Sequence, residues 1–284
     1  MEIKKIGVAG MTGAMGTGIV QVCAQSGYQV LGSSRNTEHL NKALASITSS
    51  LTRAVEKGRV TQQDKDATLS RIKGTTDVND FRDCDLVIES VVEDIDVKKK
   101  LFAELDKICP ERTILATNTS ALPISDIATA TKREPKVIGI HFMNPVPVMK
   151  GVEIIPGRHT SDEVLEASKA FVKSLGKESC EARDYPGFIV SRLVDALMNE
   201  AIRCVMDGNK PEEVDKAMKL CCNHPIGPLE LCDLAGADVV LHGTETMYAE
   251  FGERLLPAPL LKAMVRAGDL GRKAGRGFYD YTKK

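Results

Sequence analysis

The chain opens on an apolar run, Lys4 to Ala9, with the character of a strand. A glycine-rich stretch from Gly10 to Gly16 follows, and then an amphipathic segment, Ile19 to Gln25, that Ser26-Gly27 ends. Strand, tight turn and helix in that order make the first half of a βαβ unit. Tyr28 to Ser33 reads as a second strand. From Thr37 to Arg71 the period is helical but broken at Lys57-Gly58, and Thr61-Gln62-Gln63-Asp64 carries a capping pattern for the second piece. This excursion is expected to project as an antiparallel helical hairpin. Asp85 to Glu89 is the next strand, and Val97 to Ile108 a charged helix ended by Pro110. Ile114 to Thr117 and Val137 to His141 are two more short apolar runs, with a helix around Ile124 to Ala130 between them.

Strands alternating with helices predict an α/β fold, here an N-terminal Rossmann-type, doubly wound parallel sheet covered on both faces and carrying the helical hairpin as an insertion. Past Glu178 the strand pattern stops. After Pro186-Gly187 the chain reads as helices over 188–206, 211–222, 228–234 and 237–251, an all-α C-terminal domain. The boundary is expected near Tyr185, giving a dinucleotide-binding domain over 1–185 and a helical substrate and dimerisation domain over 186–284. The apolar helices of the second part predict a homodimer formed through it.

Composition narrows the function classes. With 38 Lys plus Arg against 39 Asp plus Glu, a net charge of -1 supplies no field for a nucleic-acid backbone, so nucleic acid is not an expected partner. The sequence has no apolar stretch of about 20 residues, and MEIKKIGVAG has no signal-peptide core, which points to a cytoplasmic protein without a membrane partner. Cysteines at 23, 84, 109, 180, 204, 221, 222 and 232 follow no repeating spacing; they are expected to be reduced thiols, mostly small core residues. Cys221, Cys222, His224 and Cys232 are ligand types, but adjacent cysteines on a helix diverge and no C-x-x-C pair exists, so no metal is expected.

The glycine loop runs Gly10, Met11, Thr12, Gly13, Ala14, Met15, Gly16, a G-x-x-G-x-x-G spacing placed between the first strand and the first helix. Glycines there permit a tight turn and close backbone approach, while the helix N-terminus favours pyrophosphate charge. The cofactor form is read at the end of the second strand. Ser33, Ser34, Arg35 and Asn36 offer hydroxyls, a guanidinium and an amide but no carboxylate, which suits the 2′-phosphate of NADP, with NAD the less favoured alternative.

In such sheets ligands bind beyond the carboxyl ends of the strands. Asn118, Thr119 and Ser120 follow one strand, and His141 and Asn144 follow another. His141 suits general acid–base work, and Glu153, a charge inside an apolar run, is its candidate partner. A structural histidine bonded to backbone is the alternative. Ser120 either donates to a substrate oxygen or caps the next helix. Lys57 and Arg59 flank the hairpin turn as an anion site or a solvated helix end.

Taken together, Asp85-Leu86-Val87-Ile88-Glu89 with Val92-Glu93, Thr117-Asn118-Thr119-Ser120, Val137 to Pro145, Pro186-Gly187-Phe188, Asn223 to Leu231 and Gly271 to Tyr279 resemble, in one order over essentially the whole chain, the 3-hydroxyacyl-CoA dehydrogenase family, particularly its bacterial 3-hydroxybutyryl-CoA dehydrogenases. The resemblance implies an acyl-CoA substrate, a His141–Glu153 catalytic pair and Ser120 on the substrate oxygen. It also places Glu93, Lys98, Asn118, Asn144 and Lys273 near the dinucleotide, puts Ser50 and Lys57 near coenzyme A, and makes His224 part of a structural turn. Three departures stand out: the glycine loop is one residue longer, Ser34 replaces a ribose-binding aspartate, and Ser191 replaces an asparagine that hydrogen-bonds substrate. Two further readings remain open: a dehydrogenase of a non-CoA hydroxyacid or sugar acid of the L-gulonate type, and a dinucleotide-binding protein with impaired catalysis.

Overall fold

The computed structural model describes residues 2–282. Among them are eight strands: β1 Lys5–Ala9, β2 Gln29–Ser33, β3 Ile72–Thr75, β4 Leu86–Glu89, β5 Ile114–Thr117, β6 Val137–Phe142, β7 Gly151–Pro156 and β8 Glu178–Glu181. Between them run the helices α1 Ala14–Gln25, α2 Thr37–Glu56, α3 Gln62–Ser70, α4 Ile95–Ile108, α5 Ile124–Ala128 and α6 Asp162–Ser174. The strands lie in the order β3-β2-β1-β4-β5-β6-β7-β8. The sheet is doubly wound, as the alternation predicts, but not wholly parallel, because β7 returns antiparallel to β6. Residues 143–150 are too few for a crossover, which needs about a dozen residues or more, so only a hairpin return is open to the chain.

From the neighbours β1 and β4 the chain winds outward in opposite directions. Right-handed crossovers then place α1 and α4 on opposite faces and open a crevice at the carboxyl ends of these strands. The hairpin between β2 and β3 is α2 and α3. Thr61 and Asp64 form the reciprocal capping box written in the sequence. Leu40, Ala43, Ile47 and Leu51, spaced three or four apart, bury one face of α2 in the core that holds Ile19 and Cys23 of α1.

Several elements escaped the pattern. Strand β8 is exposed along its whole length, so nothing alternates, and β3 buries only Thr75. Helix α1 starts at Ala14, not Ile19, because the glycine loop itself forms the first helical turn with Gly13 as cap. Helix α6 was not anticipated either, although Ser161 caps it and Val164, Phe171 and Val172 form its buried stripe.

The chain divides into two compact units between Asp184 and Tyr185. The second holds α7 Val190–Met206, α8 Pro211–Cys221, α9 Pro228–Ala235, α10 Ala237–Phe251 and, unforeseen, α11 Pro259–Ala267. Its core gathers Met198, Ile202, Leu229, Cys232, Val240 and Leu261. Two buried carboxylates tie its parts together. Asp215 accepts from Leu229 N at 2.8 Å, Glu230 N at 2.9 Å and the Tyr279 hydroxyl at 2.7 Å, and Asp233 accepts from Phe278 N and Tyr279 N, both at 3.0 Å. All eight cysteines are free thiols, but only Cys23, Cys84, Cys109 and Cys232 are buried, so the expectation of mostly core thiols holds for half of them. No helix among the described residues is long and apolar enough to cross a membrane.

Candidate active site

The first piece of the site is the turn after β1. Gly10 has φ +95°, and a Cβ there would lie 2.6 Å from the Ser90 carbonyl oxygen, so dihedral and approach both demand glycine. A Cβ on Gly16 would collide with the Gly10 carbonyl, which presses helix against loop. Gly13 differs: nothing lies within 4 Å of the place its Cβ would occupy, and Thr12, Gly13 and Ala14 are exposed, with Met15 half-buried behind them. Met11 is fully buried, and its N–H donates to the Ser33 carbonyl at 2.9 Å, tying the lengthened loop to the end of β2. The result is a cradle closed on its flanks and open above the first turn of α1, a shape that fits a pyrophosphate.

At the end of β2, Ser33 and Ser34 are buried. Ser34 N donates to the Thr75 carbonyl at 3.0 Å, but its Oγ is buried with no hydrogen-bond partner. A buried hydroxyl left so costs about 1–3 kcal/mol, and a ligand atom placed there would recover it. Arg35 is exposed and makes no ion pair among the described residues. Asn36 also has a structural task, since its Oδ1 accepts from His39 N at 2.8 Å and serves as the N-cap of α2.

His141 and Glu153 stand directly opposite each other in the β6–β7 ladder. The twelve-residue separation in sequence is the length of the hairpin. Nδ1 of His141 lies 2.8 Å from Glu153 Oε2, with the two residues 6 % and 1 % exposed. Asn118 locks the neighbouring strand end: its N–H donates to the Glu89 carbonyl at 2.8 Å and its Oδ1 accepts from Phe142 N at 2.9 Å.

Ser120 does not cap α5, whose first N–H groups go instead to Asp184. Its turn is gathered by a single oxygen, Glu93 Oε1, which accepts from Thr119 Oγ1 at 2.5 Å, Ser120 N at 2.9 Å, Ala121 N at 3.2 Å and Ser120 Oγ at 3.3 Å. Lys98 is buried behind Glu93 with its ammonium 2.6 Å from Glu89 and 3.2 Å from Glu93, so its place is beneath the site and it supports the carboxylate. Burial pushes the Glu93 carboxyl up, but the Lys98 ammonium and the hydrogen bonds from Thr119 and Ser120 prevail and hold it below the usual carboxylate value.

A cavity of about 460 Å³ adjoins the glycine loop, with Gly13, Lys42, Ser50, Arg53, Asn144 and Val148 among its walls. Ser50, which the resemblance assigns to coenzyme A, lines this cavity. Lys57 is an exposed helix end that does not line the cavity; Arg53, one turn earlier, does. The β6–β7 connection that forms the far wall is fastened by Lys177, whose ammonium donates to the carbonyls of Val146 at 2.7 Å and Met149 at 2.5 Å. Reading the sequence alone missed Lys42, Arg53 and Lys177; only the cationic stripe at 42 and 53 on one helix could have pointed to the first two.

In the second unit Ser191 is half-buried in the first turn of α7, and Lys273 is paired with Asp238 at 2.5 Å. His224 is half-buried after α8, and Cys221 and Cys222 are exposed.

Known proteins share this fold. Residues 5–185 match the family described as 3-hydroxyacyl-CoA dehydrogenase, NAD binding domain, and residues 187–281 match its C-terminal domain. The 3-hydroxybutyryl-CoA dehydrogenase of Clostridioides difficile is 47% identical over 281 residues, covering 98% of this chain and 100% of that protein. The crystal structure of (S)-3-hydroxybutyryl-CoA dehydrogenase PaaH1 from Ralstonia eutropha superposes with TM-score 0.94 at 43% identity, over 99% of this chain and 100% of that one. FadB2 of M. tuberculosis does so with TM-score 0.97 at 41% identity, over 99% and 100%. With both halves matched in order and the likeness running the full length, the chain belongs to the 3-hydroxyacyl-CoA dehydrogenase family.

Proposed function

We propose that this chain interconverts short 3-oxoacyl-CoA thioesters, acetoacetyl-CoA first among them, and the corresponding (S)-3-hydroxyacyl-CoA, with NADP(H) as cofactor. The observation that carries the reading is the buried His141–Glu153 pair at the carboxyl end of β6, with Nδ1 and carboxylate 2.8 Å apart. Glu153 fixes the imidazole by its Nδ1, so Nε2 is the nitrogen that exchanges a proton with the substrate oxygen, and the carboxylate stabilises the imidazolium before transfer. The Ser120 hydroxyl, only loosely bound to Glu93 at 3.3 Å, can turn to donate to the same oxygen while Ser120 N and Thr119 keep the turn in place. When bound, the nicotinamide supplies or receives the hydride at C3.

The cradle from Gly10 to Gly16 suits the pyrophosphate. Ser34, with its unpartnered buried hydroxyl, and Arg35, with its uncommitted charge, suit an added 2′-phosphate, with Ser33 beside them. Glu93, Asn118 and Asn144 are assigned to the nicotinamide end, with Lys98 behind Glu93. Ser50 and Lys57 are assigned to coenzyme A. The roles of Ser191 on substrate and Lys273 on the dinucleotide rest on the family likeness. In this reading the first unit binds the dinucleotide, and the helical unit, which exposes Leu193, Leu220 and Val239, pairs with a second copy to make a cytoplasmic homodimer. Light scattering at micromolar concentration should return twice the mass of one chain; the mass of a single chain removes the dimer.

The test is an assay of acetoacetyl-CoA, a longer 3-oxoacyl-CoA and free acetoacetate, each with NADPH and NADH. The expected result is the highest kcat/KM for acetoacetyl-CoA with NADPH. Equal or better use of NADH overturns the cofactor. Turnover of free acetoacetate as fast as the thioester points to a non-CoA hydroxyacid, and tight NADPH binding with no turnover points to a binding protein.

A further inference from the structure

Glu89 closes β4 in the middle of the sheet, and it is 0 % exposed. Its Oε1 accepts from Val91 N and from the Lys98 ammonium, both at 2.6 Å, and its Oε2 accepts from Thr117 Oγ1 at 2.7 Å. Lys98, 1 % exposed, passes the connection on to Glu93 Oε2 at 3.2 Å, and the other oxygen of Glu93 gathers Thr119, Ser120 and Ala121. One continuous line of charge-assisted bonds therefore runs from the floor of the sheet to the Ser120 hydroxyl.

Two carboxylates share one buried ammonium, so the position of Lys98 is a balance between them. Removing the charge of Glu89 leaves Glu93 as the carboxylate that draws the ammonium, and the Thr119–Ala121 turn is attached to Glu93. We infer that Glu89 is a positioning residue for the reaction: through Lys98 and Glu93 it sets where the Ser120 hydroxyl stands. The inference rests on the reading of Ser120 as the group that meets the substrate oxygen. Glu89 itself touches no reacting atom.

A double-mutant cycle on the full chain tests it, with acetoacetyl-CoA and NADPH as substrates and the unmodified chain, Glu89→Gln, Ser120→Ala and the double variant compared. Glu89→Gln should lower kcat about tenfold with the KM for acetoacetyl-CoA within about twofold, and lower it by less than about twofold once Ser120 is alanine, because the group being positioned is gone. Equal fold losses in the two backgrounds overturn the inference alone and leave Glu89 a structural residue. Where Glu89→Gln does not accumulate as folded protein, Glu89→Asp, which keeps the charge but is one methylene shorter, runs the same cycle with the same criterion. No turnover by the unmodified chain overturns the proposed reaction, and this inference with it.

Discussion

The ends of β2 and of the β4–β5 pair lie along the same rim of one sheet and are built in opposite ways. At β4 and β5 each charge is matched: Glu89 with Lys98, Lys98 with Glu93, and Glu93 with the turn that carries Ser120. At β2 the hydroxyl of Ser34 is buried without a partner and the guanidinium of Arg35 has none among the described residues. A group that must stand at a fixed point beside a reacting atom gains from being fixed beforehand, since reorganisation during the reaction raises the barrier. A group whose work is to bind gains from being incomplete, since the ligand then supplies the missing bond. In the proposed reading the chemistry is done at the satisfied end and the cofactor is chosen at the unsatisfied one.

The largest effect lies next to the satisfied end, at the acid–base pair of β6 and β7. His141→Gln should lower kcat by about 10²–10⁴-fold while the Kd for NADPH, followed by fluorescence titration, stays unchanged; near-normal kcat would remove the imidazole from the reaction. At the open end, Ser34→Asp puts a carboxylate where a phosphate is proposed to sit. The ratio of kcat/KM for NADPH over NADH should fall by about 10²-fold, and an unmoved ratio would mean that this strand end does not choose the cofactor. Gly13→Ala separates binding from folding. The fold has room for the methyl, so Tm should hold while the Kd for NADPH rises about tenfold; an unchanged Kd would show that the cradle is not used.

The smallest effect lies in the helical unit, at a carboxyl that burial perturbs. Burial pushes the carboxyl of Asp195, half-buried on α7, up to about 7 from an ordinary 3.8. The folded chain therefore holds a proton there that the unfolded chain has released. Its contribution to stability is full below about pH 4 and is lost as pH rises through about 7. Asp195→Asn should raise Tm by about 2–4 °C at pH 8 and flatten the decline between pH 4 and 7; an unchanged pH dependence would place the titration elsewhere.

Much of this is legible in the sequence. The glycine loop announced itself because only glycine tolerates φ +95° at Gly10 and the contact at Gly16. The hairpin insertion announced itself through its capping box. The histidine and glutamate could be nominated because a charge inside an apolar strand costs energy unless it has a partner. Other parts had no local signature. Strand β8 is exposed throughout, and β3 follows α3 without a break in composition. The sequence around Asn36 reads as turn chemistry, and only the fold shows its Oδ1 capping α2. Lys98, which the resemblance places near the dinucleotide, sits on a charged helix with nothing local to mark it as buried beneath the site.

By itself, then, the sequence determined most of the elements, their order, and which residue types stand at the strand ends, because hydrophobic period, turn chemistry and caps act over a few neighbours. Only the tertiary structure decided that β7 turns back antiparallel and sets Glu153 against His141, that one ammonium joins Glu89 to Glu93, and that Ser34 lacks a partner. Those outcomes depend on which distant groups burial brings within about 3 Å of each other, and a hydrogen bond or an ion pair exists only at that range.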